Sequence, residues 1–149
     1  MSEHKIELNW LRATPDFAYD TYDRTHSIRF EGGITMQSSS APEFLGKAEL
    51  VNPEEMLTAA ISSCHMLTFL AIAARKRLTI DSYKDNAVAT LAKNTAGKMA
   101  ITKATLHPVI KFSGETPSRE EIAAIHHKAH ENCFIANSVN FPVTVAASL

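Results

Sequence analysis

The sequence has almost no net charge and very little cysteine. The first limits the classes of partner that the protein can bind, and the second limits the disulfides that it can form. Fifteen Lys and Arg residues stand against sixteen Asp and Glu residues, a formal net charge of −1. Without an excess of positive charge, nothing points to nucleic acid or an anionic membrane surface as a partner. The amino terminus, MSEHKIELNW, lacks the apolar core of a signal peptide, so we expect a cytoplasmic protein.

The 149 residues include only two cysteines, Cys64 and Cys133. In a chain of this kind, two cysteines are more often functional thiols or inert core residues than a structural disulfide. The sequence also lacks internal repeats, low-complexity segments and linkers. We therefore predict a single domain over residues 1–149, which is long enough to hold a proper core.

What the sequence does have is one long apolar stretch, Asn52–Arg77. Asn52 suits a helix N-cap and Pro53 suits the first helical position. Acidic residues at its start and basic residues at its end match the helix dipole. The interior is apolar or small on every side, which predicts a helix buried on every side. Several polar residues interrupt it, so we expect a core helix and no membrane partner.

Alternating apolar residues predict strands on both sides of this helix. The predicted strands are Ile6–Trp10, a hairpin of Ser27–Phe30 and Ile34–Gln37 that turns at Gly32 and Gly33, Tyr83–Ala92, Met99–Lys111 with a bulge or edge at Pro108, and Phe141–Ala147. A second helix is expected to open at Ser118, which forms a capping box with Glu121. Its apolar face extends to Cys133.

Cys64 lies in the middle of the central helix, and Cys133 lies at the end of the second helix on its apolar face. Both could be core residues, since free cysteine is among the most buried residue types. Alternatively they form a redox pair, with Cys64 as the nucleophile and Cys133 as the resolving thiol. Because Cys64 is far from its helix N-terminus, a thiolate there would need a nearby cation.

Glu54 precedes Cys64 by ten positions, roughly 15 Å along one helix axis, so one straight helix cannot bring both into a single site. Two copies of the helix, packed antiparallel across a two-fold axis, could do so. A helix that is apolar on every side also needs more cover than one thin layer provides. Both points favour a homodimer with sites at its interface.

Histidines suggest another class of function. His126, His127 and His130 have the helical spacing of zinc ligands, although they could equally form an exposed polar face. A metal-binding or ligand-binding module is therefore the alternative to an enzyme. His65 is expected to be a buried histidine with its hydrogen bonds satisfied rather than a general base.

Segments in three parts of the chain together resemble the OsmC/Ohr family of osmotically inducible and organic hydroperoxide resistance proteins. They are Asn52–Glu55 with Ala59–Leu67, Tyr22–His26 with Phe30–Gly33, and Ala129–Cys133 with Asn137–Val139. They occur in the family's order and span residues 22–139. The resemblance implies an α+β, OsmC-like fold with antiparallel sheets around a long buried central helix. It also implies an intertwined homodimer with two sites at the interface.

The resemblance also implies a thiol-dependent peroxidase that acts on organic hydroperoxides, with hydrogen peroxide as a further candidate, in the response to oxidative stress. The peroxidatic cysteine falls on Cys64 and the resolving cysteine on Cys133. No cofactor is implied beyond an external dithiol reductant, for which a lipoyl group is one candidate. A non-catalytic, ligand-binding or peroxide-sensing member of the family is the alternative.

The family's activating arginine falls on Arg24, with Arg29 and Arg12 as alternatives, and its glutamate falls on Glu54. In the implied site, the arginine holds Cys64 as a thiolate and orients the peroxide. Glu54 fixes the guanidinium by a bidentate pair.

Overall fold

The computed structural model describes residues 1–146 and divides the chain into two compact units, one from Met1 to Met56 and the other from Leu57 onward. The predicted α+β class is confirmed, and the prediction of one domain stays a prediction. The strands are β1 (Ile6–Asn9), β2 (His26–Phe30), β3 (Thr35–Ser38), β4 (Thr79–Asp85), β5 (Val88–Lys93), β6 (Met99–Leu106), β7 (Pro108–Ser113) and β8 (Val143–Val145). The helices are α1 (Pro53–Arg75) and α2 (Arg119–Glu131), with short 3₁₀ turns at Pro42–Phe44 and Ala136–Ser138.

The first unit contains a three-stranded antiparallel sheet in the order β1-β2-β3. The predicted hairpin is confirmed, and Gly33 adopts a φ of 89° in its turn, a conformation that glycine takes without steric cost. Alternating apolar residues such as those of β1 are typical of a half-buried strand. In the single chain, however, Ile6 and Leu8 are both more than half exposed. β1 pairs only with β2 in its sheet, and both of its faces are exposed.

Local hydrogen bonds fix the start of α1. The Asn52 side chain accepts from the Glu55 backbone N–H at 2.9 Å, and the Glu55 carboxylate accepts from the Asn52 N–H at 3.0 Å. This reciprocal pair satisfies donors that an open helix end would leave without partners. The predicted cap at Asn52 and the helix start at Pro53 are therefore confirmed.

Burial of α1 differs from the prediction. The buried side chains form one stripe at four-residue spacing: Ile61, His65, Phe69 and Ala73. The exposed residues form a second stripe two positions away, on the opposite side: Ala59, Ser63, Leu67 and Ala71. The prediction of a helix buried on every side is wrong for the single chain, because the second unit covers one side of it. By length and hydropathy alone α1 could cross a membrane, a test that core helices of soluble proteins also pass.

The second unit contains two sheets, β4-β7 and β5-β6-β8. The two long strands predicted from the sequence are in fact four, because each changes sheet near its middle. Asp85 ends β4, and its carboxylate accepts from the His107 N–H at 2.7 Å, where β6 has ended. Pro108 then takes the first position of β7, where a strand tolerates a residue without an N–H.

β8 pairs with β6 in parallel, so the expectation of purely antiparallel sheets is wrong for this pair. β7 and α2 lie between the two strands in the chain, a connection long enough to return in the same direction. The predicted closing strand Phe141–Ala147 is observed over Val143–Val145, and Ala147 lies outside the described residues.

α2 begins where the sequence predicts, since the Ser118 side chain accepts from the Glu121 N–H. Two buried clusters form the core of the second unit. One joins the middle and end of α1 to α2: Phe69, Ala73, Ile125 and Ala129. The other joins the earlier part of α1 to β6: Ile61, Ala104 and Leu106. Along α1, Cys64 lies between Ile61 of one cluster and Phe69 of the other.

Candidate active site

The thiols of Cys64 and Cys133 meet in the second unit, 69 positions apart in the chain. They are hydrogen-bond partners, and both cysteines are free rather than joined in a disulfide. Cys64 is brought to this point by α1, and Cys133 follows α2 directly, after the Asn132 cap. The packing of the two helices therefore places two thiols within reach of disulfide chemistry.

The surroundings of the two thiols differ. Cys133 is fully buried, and its sulfur also accepts from the Ala136 N–H at 3.4 Å. Burial, followed by the hydrogen bond to Cys64, raises the pKa of Cys133 to about 11. Cys64 is only partly buried. At neutral pH Cys133 is therefore a protonated thiol, and Cys64 is the more exposed of the two residues.

Two buried histidines, His65 and His126, lie on the same two helical segments that bring the cysteines together. His65 Nε2 and His126 Nδ1 share a hydrogen bond of 3.0 Å, and the planes of the two rings are nearly parallel, with an interplanar angle of 7°. Burial, with a smaller repulsion from His126 and His130, lowers the pKa of His65 to about 4. Burial likewise lowers the pKa of His126 to about 4. Both imidazoles are neutral at physiological pH, and the outer ring nitrogens, His65 Nδ1 and His126 Nε2, have no partner.

The geometry does not support a zinc site on α2. His126 turns inward to His65, whereas His127 is exposed and lies 3.3 Å from the Glu131 carboxylate. Within residues 1–146, no group of three or more His, Cys, Asp and Glu side chains is arranged to hold a metal ion. A cavity of about 390 Å³ lies beside this part of α2. It is lined by His126, His127 and His130, and by the apolar residues Ala123, Val143, Val145 and Ala146.

Arg24 belongs to the first unit, where two tyrosines hold it. Its guanidinium donates to the carbonyls of Tyr22, at 3.0 Å, and Tyr19, at 2.8 Å. It also lies over both rings, 4.0 Å from the centroid of Tyr22 and 5.2 Å from that of Tyr19. These contacts fix the guanidinium without neutralising its charge, since carbonyl groups and ring faces carry no formal negative charge.

The alternative arginines are less sheltered than Arg24. Arg12 is exposed and donates to the carbonyls of Thr14 and Pro15, and Arg29 is exposed on β2. Glu54 lies in the first turn of α1 and is partly buried.

The segment around Arg24 is anchored through its neighbour Asp23. The Asp23 carboxylate accepts from the Thr25 N–H and hydroxyl, and it forms an ion pair with Lys47 at 2.9 Å. The hydrogen bonds from Thr25, followed by Lys47, lower the pKa of Asp23 to about 2. The Asp23 carbonyl in turn accepts from the Trp10 indole at 2.7 Å.

An aromatic cavity of about 460 Å³ lies next to Arg24 within the first unit. Trp10, Phe17 and Tyr22 pack edge to face or tilted, with ring centroids 5.3–6.2 Å apart. The cavity is lined by these rings and by Leu8, Arg24, His26, Ser39, Ser40 and Pro53. Mostly apolar walls with a few polar groups are typical of small-molecule sites.

Sequence reasoning missed two of these features. It placed His126 among possible metal ligands and did not pair it with His65, because 61 positions separate them and helical spacing carries no information across that distance. It also overlooked the cavity, although aromatic residues at positions 10, 17, 19 and 22, just before Arg24, were a visible signal.

Known proteins share the sequence pattern and the fold of this chain. The family model described as OsmC-like protein matches residues 46–148. An OsmC-like protein of unknown function from Vibrio cholerae is 44% identical over 99% of both chains, with a TM-score of 0.93. An organic hydroperoxide resistance protein from Legionella pneumophila has a TM-score of 0.77 at 16% identity, covering 100% of this chain and 98% of that one.

A further relative by structure is the organic hydroperoxide resistance protein OhrB of Bacillus subtilis, with a TM-score of 0.71 at 19% identity over 99% of this chain and 98% of that one. At such low identity these two likenesses show a shared fold. No significantly similar protein was found among curated proteins. The family match covers more than two thirds of the chain, and the chain belongs to the OsmC-like protein family.

Proposed function

We propose that this protein is a cysteine-based peroxidase that reduces organic hydroperoxides through a Cys64–Cys133 disulfide. The observation that carries the proposal is the hydrogen bond between a partly exposed thiol and a fully buried one. Organic hydroperoxide resistance proteins share the fold, which supports the choice of substrate class. The proposal places the chemistry in the cytoplasm, where cellular dithiols keep cysteines reduced.

In the first step the Cys64 thiolate attacks the distal oxygen of the hydroperoxide. A sulfur–oxygen bond forms, the O–O bond breaks, and the alkoxide takes a proton and leaves as an alcohol, so that Cys64 becomes a sulfenic acid. In the second step the Cys133 sulfur attacks the Cys64 sulfur and displaces water. An external dithiol then reduces the disulfide by exchange and returns both thiols.

Burial supports this order of roles. A peroxide can approach Cys64, which is partly exposed, but not Cys133, which is fully buried. The high pKa of Cys133 keeps it protonated, and a thiol is a poor nucleophile. Cys133 is therefore suited to react with the oxidised Cys64 rather than with the peroxide.

The proposal assigns Arg24 to the thiolate and the peroxide, with Glu54 orienting the guanidinium. Of the three candidate arginines, Arg24 alone is partly buried, and it lines the aromatic cavity. Its tyrosine contacts hold the guanidinium while leaving its charge available. Apolar walls next to this arginine support a hydroperoxide with an apolar or aromatic group.

The proposal also includes a homodimer. The exposed stripe of α1 consists of small or apolar side chains, and Leu67 within it is 59% exposed. Small residues let two helices approach closely, and a second copy of α1 packed antiparallel would cover this stripe. Such a pairing would also bring Glu54 of one copy toward Cys64 of the other, which a single straight helix cannot do.

The test is a count of free thiols before and after one equivalent of cumene hydroperoxide, followed by non-reducing mass analysis of the two cysteine peptides. We expect loss of both thiols into one intrachain disulfide. Cys64→Ser should leave the peroxide unconsumed, whereas Ser82→Ala, at an exposed position of β4, should react as the wild type does. Two thiols that stay reduced would refute the proposal.

A peroxide sensor would give the same disulfide without turnover. Adding dihydrolipoamide and excess peroxide separates the two functions. We expect many equivalents of peroxide to be consumed per protein, whereas a sensor would stop after one.

A further inference from the structure

The buried histidine pair joins the two elements that carry the thiols. His65 is the next residue after Cys64 on α1. His126 lies on α2 seven positions before Cys133, which is two helical turns. The Cys133 N–H bonds back to the His130 carbonyl at 3.2 Å, so Cys133 is tied to the last turn of α2.

Buried apolar side chains also join the two helices, and the Phe69 ring packs against the His126 ring with 4.4 Å between the centroids. Phe69 and Ala73 of α1 pack against Ile125 and Ala129 of α2, and contacts of this kind have no directional preference. The Lys76–Glu121 ion pair also joins them, but it is exposed and lies three turns away from His65 along α1. A hydrogen bond of 3.0 Å between two fixed rings, by contrast, specifies a distance and an angle.

The His65–His126 pair stabilises the core less than two apolar side chains of similar volume would. Each ring buries an outer nitrogen without a partner, and such groups cost stability that an apolar side chain of similar volume would not. Packing alone therefore does not account for it. Buried polar pairs are best attested as devices that fix the register of neighbouring elements.

We infer that the His65–His126 hydrogen bond is a positioning device that sets α1 against α2 so that the Cys64 and Cys133 sulfurs are aligned for disulfide formation. This inference rests on the proposed function and concerns its second step. In that step the S–S bond forms, the S–O bond of the Cys64 sulfenic acid breaks, and the leaving hydroxide takes the Cys133 proton to give water. Attack at sulfur requires close approach and alignment, so a small displacement slows it strongly.

The experiment compares three variants in a rapid-quench reaction with cumene hydroperoxide. His126→Leu removes the hydrogen bond. His126→Asn keeps an amide close to the position of Nδ1. His127→Leu changes the exposed neighbour on the same helix and serves as the matched control. Loss of the Cys64 thiol reports the first step, and appearance of the disulfide reports the second.

We expect His126→Leu to lose the Cys64 thiol at the wild-type rate but to form the disulfide roughly tenfold more slowly or worse. The trapped sulfenic acid should then be overoxidised to sulfinic acid by excess peroxide. His126→Asn should recover most of the second step, and His127→Leu should match the wild type. Disulfide formation by His126→Leu at the wild-type rate would overturn the inference and leave the peroxidase proposal intact.

A second measurement does not depend on peroxide. The equilibrium of the Cys64–Cys133 disulfide with glutathione gives the effective concentration of one thiol toward the other. We expect that value to fall roughly tenfold in His126→Leu and to return in His126→Asn. His65→Gln, which keeps an amide close to the position of Nε2, should behave as His126→Asn does. An unchanged equilibrium in a folded His126→Leu variant would overturn the inference even if the protein proved unreactive toward peroxide.

Discussion

A hydrogen bond joins the side chain of Cys133, which is fully buried, to the side chain of Cys64, which is only partly buried. This contact joins two residues 69 positions apart and gives them unequal chemistry. One sulfur can meet a substrate, and the other is kept protonated and out of reach. The predictions below follow from this inequality and from the elements that maintain it.

Replacing each cysteine by serine should block a different step of the reaction. Cys64→Ser removes the nucleophile, so peroxide consumption should fall by roughly 10³-fold or more. Cys133→Ser should react with the first equivalent at the wild-type rate and then accumulate sulfenic and sulfinic acid at Cys64. Stopped-flow peroxide assays and intact-mass spectra distinguish these outcomes. Equal loss in both variants would contradict the assignment of roles.

Disulfide formation should accelerate as the pH rises. With a pKa of about 11, Cys133 is a thiolate in only about one molecule in 10⁴ at pH 7. Burial is the largest cause of this shift and persists after Cys64 is oxidised. The second step should therefore speed up by up to about tenfold per pH unit between pH 7 and 9. Single-turnover rates at each pH test this, and a rate independent of pH would contradict it.

The histidine pair should make the folded chain less stable as the pH is lowered from about 6.5 to about 4. Both imidazoles have a lowered pKa in the folded chain, about 4, whereas the unfolded chain binds protons near 6.5. The unfolded state therefore holds more protons in this window, and the free energy of unfolding falls as the pH falls. His130 adds repulsion to a charged His65, and Asp85 opposes it.

The limiting slope is about 1.4 kcal/mol per pH unit for each imidazole. Urea unfolding at several pH values measures it. His126→Leu should show a shallower dependence on pH than the wild type, and the exposed His127→Leu should not. If the slopes of the wild type and His126→Leu agree, the buried pair does not bind fewer protons when folded.

A charge on the exposed stripe of α1 should separate the proposed dimer. Leu67→Glu would bury a carboxylate between two helices, at a cost of roughly 3 kcal/mol or more, which weakens association by at least about 10². Sedimentation velocity over a range of concentrations measures the change. Ala96→Glu, which places the same charge in the exposed β5–β6 turn, should leave the dimer intact. A wild-type chain that sediments as a monomer would contradict the proposal itself.

Much of the local structure could be predicted because the signals lie within a few residues of the elements they fix. Asn52 caps α1 and Ser118 caps α2 through bonds to residues three positions on, and Gly33 supplies the turn of its hairpin. At the break between β6 and β7, Pro108 signals a bulge or an edge, but the change from one sheet to the other could not be predicted from local signals. It depends on Asp85, which lies 22 positions from the His107 N–H that it holds.

The sequence by itself determined the α+β class, the helix boundaries set by local caps, and two cysteines in the motifs of an OsmC-like protein. Only the tertiary structure decided that the thiols meet, that His65 pairs with His126, and that α1 is buried along a single stripe. The physical reason is the range of the interactions. Caps and turns act over three or four residues, whereas contacts between α1 and α2 depend on how two helices pack after a connection of more than 40 residues.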